Sequence, residues 1–147
     1  MLRGDRASPL LDSYNALALK RGLKAVIPAI QTSQFGRVQA IASRSPDKAA
    51  DVAAKFGIPK VHGSYEELLA DPEIAILINL TVPLAHAEVS HRVVAAGKHV
   101  YSEKPFALSV EDGKKLVAEA DARGLKLGSA PDTFLGGGGQ TARKLLD

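Results

Sequence analysis

Residues 74–80 read IAILINL and are apolar on both faces of an extended chain, apart from Asn79. A strand of this kind is typical of the centre of a parallel sheet, where helices cover both sides. On either side of this stretch, shorter apolar runs at 38–43, 98–102 and 125–128 also have the character of strands. These segments predict a parallel sheet with residues 74–80 at a central position.

Helical segments separate the strands, and their ends carry recognisable signals. Ser45 and Pro46 predict the start of a helix that ends near residue 57. Capping-box spacing predicts helix starts at Ser64 and Ser109. Further helices are expected near 85–96 and at 140–146, the second entered through a flexible glycine run at 136–139. This alternation predicts an α/β fold, a doubly wound parallel sheet with right-handed crossovers.

Composition and charge exclude several classes of protein. The chain has 147 residues, 46% hydrophobic and 24% charged, which indicates a folded globular domain and excludes a disordered chain. The net charge of +3 comes from dispersed basic residues, so no nucleic-acid partner is indicated. The absence of cysteine excludes disulfides and cysteine nucleophiles. No metal site is expected, because His62, His91 and His99 lack the spacing of metal ligands.

The sequence also lacks the signals of membrane and secreted proteins. No run is long enough to span a bilayer, and residues 1–22 have no apolar core of a signal peptide. A cytoplasmic location without membrane binding is therefore the default expectation.

In doubly wound sheets, ligands bind beyond the carboxyl ends of the strands, so residues at these ends are the candidate site residues. Ser43 ends the strand at 38–43 and Arg44 follows it, at the position where a dinucleotide-binding fold contacts the adenosine ribose. An acidic residue there would bind a free 2′-hydroxyl, whereas serine and arginine suit a 2′-phosphate and favour NADP. The alternative is a turn residue at Ser43, a helix cap at Ser45 and a solvated Arg44.

The tripeptide Glu103-Lys104-Pro105 follows the strand at 98–102. Proline restricts the residue before it to extended conformations, so Lys104 is expected to point in a fixed direction from the end of its strand. An ammonium group there can hydrogen-bond a substrate hydroxyl or carbonyl and assist proton transfer during hydride exchange. For the tripeptide alone, the alternative is a solvated loop.

His86 follows Thr81 and Pro83 and lies in the first turn of the helix predicted near 85–96. The end of the central strand is close by, so a histidine here is near enough to line a nicotinamide pocket. The alternative is an ordinary histidine on the helix surface.

Five motifs in order closely resemble the nucleotide-binding domain of the glucose-fructose oxidoreductase and inositol dehydrogenase (Gfo/Idh/MocA) family. They are residues 40–44, 63–69, 79–83 with His86, 96–100 and 103–105; residues 130–138 are also similar to that family's passage into its substrate domain. The resemblance implies a Rossmann-like sheet and NADP, or else NAD, as the cofactor. It also implies hydride transfer to or from a sugar, cyclitol or related alcohol.

The resemblance further implies roles for individual residues. It makes Lys104 the candidate catalytic residue. It gives a cofactor-binding role to Ser43, Arg44, Thr81, Pro83, His86, Glu103 and Lys104.

The N-terminal part departs from the family pattern. In the family, the first strand leads into a G-x-G-x-x-G/A turn that lets the backbone approach the pyrophosphate. Residues 1–24 contain only Gly4 and Gly22, and the apolar pattern at 8–17 predicts a helix. The first strand and its glycine-rich turn are therefore expected to be missing or replaced, with any replacement filling the central slot of the sheet.

Three parts are expected along the chain: an atypical helical segment at 1–24, a partial NAD(P)-binding Rossmann domain at 25–131, and the start of the passage into an absent substrate domain at 132–147. The chain then resembles a fragment of an oxidoreductase for a sugar or polyol, with little activity of its own. The alternative is a non-catalytic truncated or degenerate relative that acts as a binding or assembly module. A sheet without its central strand would expose apolar surface and favour a homo-oligomer.

Overall fold

The computed structural model describes residues 14–17, 23–34, 36–43, 45–130 and 136–146. The strands in these ranges are β1 Tyr14–Leu17, β2 Val38–Ala42, β3 Lys60–His62, β4 Ile76–Asn79, β5 His99–Ser102 and β6 Leu127–Ser129. The helices are α1 Leu23–Gln31, α2 Pro46–Phe56, α3 Tyr65–Ala70, α4 His86–Ala95, α5 Val110–Ala122 and α6 Gly137–Leu146, and a short 3₁₀ turn, Pro83–Ala85, precedes α4.

The strands form one sheet in the order β3-β2-β1-β4-β5-β6, and every neighbouring pair is parallel. This order is that of the doubly wound dinucleotide-binding fold, so the predicted fold class is confirmed. The winding direction reverses between β1 and β4. Sheets of this type bind ligands in the crevice at that point, beyond the carboxyl ends of the strands.

The helix expected at 8–17 is wrong over Tyr14–Leu17, which form strand β1. β1 pairs with β2 on one side and with β4 on the other, so Leu17 lies opposite both Ala42 and Asn79. Pairing on two sides satisfies backbone groups that the local pattern would direct into a helix. A replacement strand therefore fills the central slot; residues 1–13 and 18–22 lie outside the described ranges.

The predicted helix starts are confirmed in position, with one difference in how they are capped. The Ser64 hydroxyl accepts a hydrogen bond from the backbone N–H of Glu67 at 3.1 Å. The Ser109 hydroxyl accepts one from the N–H of Asp112 at 3.0 Å. Ser45 stands at the N-cap of α2, but its side chain makes no capping hydrogen bond. Pro46 at the first helical position lacks one of the N–H groups that a helix start leaves unpaired, and its ring presets the helical backbone angle.

The last helix begins earlier than expected. α6 starts at Gly137 and includes most of the glycine run that was expected to be a flexible entry. The first bond of the helix runs from the N–H of Gln140 to the carbonyl of Gly136 at 3.0 Å. Glycine adopts helical angles without steric hindrance, so the helix-forming residues that follow extend the helix back into the run. Residues 132–135 and Asp147, from the expected passage, lie outside the described ranges.

Two clusters of buried apolar side chains form the core, one on each face of the sheet. β2 contributes to both clusters: Ala40 and Ala42 belong to one, and Val38 and Ile41 belong to the other. Side chains of α3, α4 and α5 complete the first cluster, and side chains of α1 and α2 complete the second. Among the described residues, no helix is long and apolar enough to cross a membrane.

Candidate functional site

The carboxyl ends of the strands lie side by side in one row across the sheet. In order along this row, the paired residues are His62, Ala42, Leu17, Asn79, Ser102 and Ser129. Ser43, Thr81, Glu103 and Lys104 follow members of this row by one or two residues. The structure therefore brings these predicted site residues to one edge of the sheet, the edge at which such folds bind ligands.

Asn79, at the end of β4, organises the middle of this edge. Its side chain is fully buried, and its amide nitrogen donates to the backbone carbonyl of His86 at 3.0 Å and to the Ser90 hydroxyl at 3.1 Å. Its amide oxygen accepts from the N–H of Thr81 at 3.2 Å and from the Thr81 hydroxyl at 2.7 Å. These four bonds use the whole hydrogen-bonding capacity of the amide. The backbone carbonyl of Asn79 also accepts from the N–H of Glu103 at 2.9 Å.

The His86 ring is buried in the same region, at 1% exposure, so the alternative of a histidine on the helix surface is wrong. Its Nδ1 lies 2.7 Å from the carbonyl oxygen of Pro105, and its Nε2 lies 2.8 Å from the carbonyl oxygen of Thr81. A carbonyl oxygen only accepts hydrogen bonds. Each neutral tautomer of the ring donates to one of the two, and the doubly protonated ring donates to both. Protein carbonyls thus occupy both ring nitrogens.

The backbone around Lys104 is held firmly, while its side chain is exposed. The N–H of Lys104 donates to the Glu103 carboxylate at 2.7 Å, and the Ser102 hydroxyl donates to the Glu103 carbonyl at 3.1 Å. The peptide bond between Lys104 and Pro105 is cis. The Lys104 ammonium makes no hydrogen bond or ion pair with any residue that the structure describes. It is therefore available to a ligand at this edge.

Ser43, directly after β2, is half-buried, and its hydroxyl accepts from the N–H of Ser45 at 3.2 Å. This bond closes a turn, as the structural alternative for Ser43 expects, and leaves the hydroxyl proton free to be donated. Arg44 lies outside the described residues. Pro83 is exposed in the 3₁₀ turn after β4, next to the largely exposed Leu84.

A second polar cluster lies between β3 and the loop before β4. The Lys60 ammonium contacts Asp71 at 2.9 Å and also contacts Glu73, while Nε2 of His62 lies 3.1 Å from Asp71. Burial alone would raise the pKa of Asp71, but hydrogen bonds from Lys60, the N–H of Glu73 and His62 lower it to about 2. No group of three or more candidate metal ligands occurs in the described part of the chain. The charges of this cluster pair with one another, so it joins elements and offers no open site.

The residues at the sheet edge fit a nicotinamide dinucleotide at its two ends. Near Lys104, an ammonium can donate hydrogen bonds, and the Thr81 oxygen, which donates its proton to Asn79, can accept one. Near Ser43, no carboxylate stands at 43–45 to repel a 2′-phosphate. The segment that would face the pyrophosphate, in the middle of the cofactor, departs from the usual glycine-rich pattern. The link at 18–22 reads ALKRG and has a single glycine where the phosphate-binding turn has three.

The residues that hold this edge together are Asn79, Ser90 and Pro105, and the sequence pattern does not predict this role for them. Asn79 carried a signal, because it is the one polar residue in the apolar stretch 74–80. A buried polar group in a strand needs partners, and its amide orders Thr81 and the start of α4. Ser90 gave no such signal, since a serine in the middle of an amphipathic helix is normally exposed. The carbonyl of Pro105 as a partner of His86 is a tertiary contact that no local pattern predicts.

Comparison with known proteins identifies the family to which the chain is similar. Residues 20–130 match the Gfo/Idh/MocA family, described as an oxidoreductase family with an NAD-binding Rossmann fold. An uncharacterized oxidoreductase of Rhizobium meliloti is 44% identical over 106 residues, covering 71% of this chain and 31% of that protein. D-xylose 1-dehydrogenase (NADP(+)) 2 of Haloferax volcanii is 44% identical over 92 residues, covering 62% of this chain and 28% of that protein.

A solved structure matches nearly the whole chain. It is KijD10, a 3-ketoreductase from Actinomadura kijaniata, in complex with TDP-benzene and NADP in an open conformation. The TM-score is 0.85 at 28% sequence identity, and the match covers 93% of this chain and 43% of KijD10. The chain spans 31% of the length of the R. meliloti relative, less than a third. On the match over residues 20–130 and the strand order of its sheet, this chain belongs to the Gfo/Idh/MocA oxidoreductase family, within the NAD-binding Rossmann domain.

Proposed function

We propose that this chain binds NADP(H) at the carboxyl edge of its sheet and forms the nucleotide-binding part of an oxidoreductase for a sugar or polyol. The observation that carries the proposal is the position of the Lys104 ammonium. It is exposed and unpaired among the described residues, on a backbone held at Glu103 and Pro105, at the edge where doubly wound sheets bind ligands.

Lys104 acts on the oxygen of the substrate in this proposal. Interconversion of an alcohol and a ketone moves a hydride at carbon and a proton at oxygen, and the bound nicotinamide supplies or accepts the hydride. The Lys104 ammonium donates a hydrogen bond to the substrate oxygen and favours the charge that develops there. Thr81, held by Asn79, offers an acceptor oxygen near the same end of the cofactor.

The preference for NADP rests on the residues after β2. Ser43 and Arg44 provide a hydroxyl and a guanidinium where NAD-specific folds use a carboxylate to bind the ribose. Two of the similar proteins, the D-xylose 1-dehydrogenase (NADP(+)) and KijD10 in complex with NADP, support the same choice. Both are also described as acting on a sugar or a ketone, which supports the sugar or polyol substrate class.

The decisive experiment titrates the purified chain with NADPH and with NADH, following the fluorescence of the cofactor, because the protein has no tryptophan. We expect saturable binding that favours NADPH. Arg44→Ala should weaken NADPH binding about tenfold, the effect of losing one charge-assisted hydrogen bond, and leave NADH binding unchanged. Arg37, exposed just before β2 at the opposite edge of the sheet, provides the matched control: Arg37→Ala should change neither affinity.

A second candidate function is a non-catalytic binding or assembly module. The sequence ALKRG between β1 and α1 favours it, because this link lacks the glycines that let the backbone approach a pyrophosphate. The titration with NADPH and NADH distinguishes the oxidoreductase from the binding or assembly module. A folded chain that binds neither cofactor would support the module and contradict the oxidoreductase.

A further inference from the structure

The two carbonyls that His86 contacts belong to different segments of the candidate site. Thr81 lies in the turn after β4, and Pro105 directly follows Lys104 after β5. Each contact is shorter than 3 Å, and the ring that joins them is 1% exposed. A rigid five-membered ring thus bridges the exits of two neighbouring strands.

The bridge completes the support of the segment that carries Lys104. On one side of Lys104, the N–H of Glu103 donates to the carbonyl of Asn79 at 2.9 Å. On the other side, the carbonyl of Pro105 lies against His86 at 2.7 Å. The Lys104 side chain makes no hydrogen bond or ion pair in the described part of the chain. These backbone contacts therefore fix the position of the Cα atom from which the side chain extends.

The ring has no nitrogen left for a ligand, so any effect on a bound cofactor must pass through the segments that it joins. We infer that His86 is a positioning residue that holds Thr81 and Lys104 at a fixed separation around the nicotinamide end of the cofactor. This inference rests on the proposed function for the identity of the cofactor. It replaces direct contact between His86 and the nicotinamide with an indirect role.

The first test separates the two ends of the cofactor. The chain is titrated with NADPH and with 2′,5′-ADP, which has the phosphorylated adenosine end and no nicotinamide. His86→Gln should weaken NADPH binding about tenfold, as expected for one lost hydrogen bond, and leave 2′,5′-ADP binding unchanged. A purely structural histidine would weaken both ligands together, and that result would overturn the inference, as would unchanged NADPH binding.

Two control variants on the same helix exclude simpler explanations. His91 is partly exposed on α4 and pairs with Glu119 on α5 at 2.7 Å, so His91→Gln makes the same chemical change away from the site. Val93 is fully buried on α4, so Val93→Ala lowers stability without touching the His86 contacts. Neither control should separate the affinity for NADPH from the affinity for 2′,5′-ADP.

The second test needs no cofactor. Hydrogen exchange in the unmodified chain should show the N–H groups of Thr81 and Glu103 protected as strongly as those within β4 and β5. In His86→Gln their protection should fall about tenfold, while protection in β2 and β3 stays unchanged. Fast exchange in the unmodified chain, or unchanged protection in the variant, would overturn the inference. If the unmodified chain binds no cofactor, the proposed function fails and this experiment alone decides the role of His86.

Discussion

Two lysines flank β5 and have opposite environments. Lys98, before the strand, is buried, and its ammonium donates to the backbone carbonyls of Asp71 and Ile74 at 2.7 Å each. Burial lowers the pKa of Lys98. Lys104, after the strand, is exposed and has no side-chain partner among the described residues. The first lysine therefore has a structural role, whereas no contact of that kind holds the second within the described ranges.

The same substitution at the two lysines tests this difference. Lys98→Met removes the ammonium donor from the Ile74 carbonyl and from the Asp71 carbonyl, which still accepts from the N–H of Ile74 at 3.2 Å, and it should lower the free energy of unfolding by about 2 kcal/mol. Lys104→Met should change it by less than about 0.5 kcal/mol, as for other exposed positions. Urea unfolding followed by circular dichroism measures both values. A cost above about 1 kcal/mol for Lys104→Met would give Lys104 a structural role and weaken its assignment to substrate binding.

At the level of single residues, the sequence predicts where the site lies better than what each residue does. Ser43, Thr81 and Lys104 follow strands that their apolar pattern reveals, so their place at one edge is predictable. The buried position of His86 is not predictable from the sequence, because its ring contacts the carbonyl of Pro105, which lies 19 residues further along the chain. Only the packing of α4 against the exits of β4 and β5 brings these groups together.

At the level of elements, Asp71 joins β3 to the loop before β4. Its carboxylate, lowered in pKa to about 2, accepts from Lys60 and His62 of β3 and from the N–H of Glu73. A depressed pKa contributes stability above the unfolded pKa, near 3.8, and this contribution is lost as the pH falls toward about 2. The link between β3 and β4 should therefore weaken in acid.

Asp71→Asn should reveal this acid sensitivity. At neutral pH it should lower the free energy of unfolding by about 2 kcal/mol, because hydrogen bonds to a charged group are lost. This cost should shrink between about pH 4 and pH 2, since the original carboxyl becomes protonated there too. Urea unfolding of both proteins at several pH values measures the difference. A cost that stays constant across this range would mean that the charge of Asp71 does not stabilise the fold.

The two ends of the described chain mark the limit of prediction for elements. Ser64 and Ser109 predict helix starts because each can cap a helix by a local hydrogen bond, and the structure has helices there. β1 carries no such local signal, because its strand conformation comes from pairing with β2 and β4. The glycine run before α6 has weak local preference, so the helix that follows determines its conformation.

At the level of the whole molecule, β1 joins the two halves of the sheet. β2 and β3 lie on one side of it, and β4, β5 and β6 lie on the other. The alternation of strands and helices predicts the doubly wound fold, but it does not predict which residues occupy the centre. The stability of both halves therefore depends on four residues, Tyr14–Leu17, which the apolar pattern at 8–17 assigns to a helix.

A proline in β1 tests this dependence. Ala16 pairs with Ile41 on one side and Ile78 on the other, and proline at this position removes a ladder hydrogen bond from a central strand. Ala16→Pro should lower the free energy of unfolding by at least about 2 kcal/mol, whereas Ala16→Gly, which keeps the N–H, should cost about 1 kcal/mol or less. Hydrogen exchange should then rise together in β2–β3 and in β4–β6, because both halves lose the strand between them. Equal costs for the two variants would contradict a central β1, and exchange that rises in one half alone would show that the halves unfold independently.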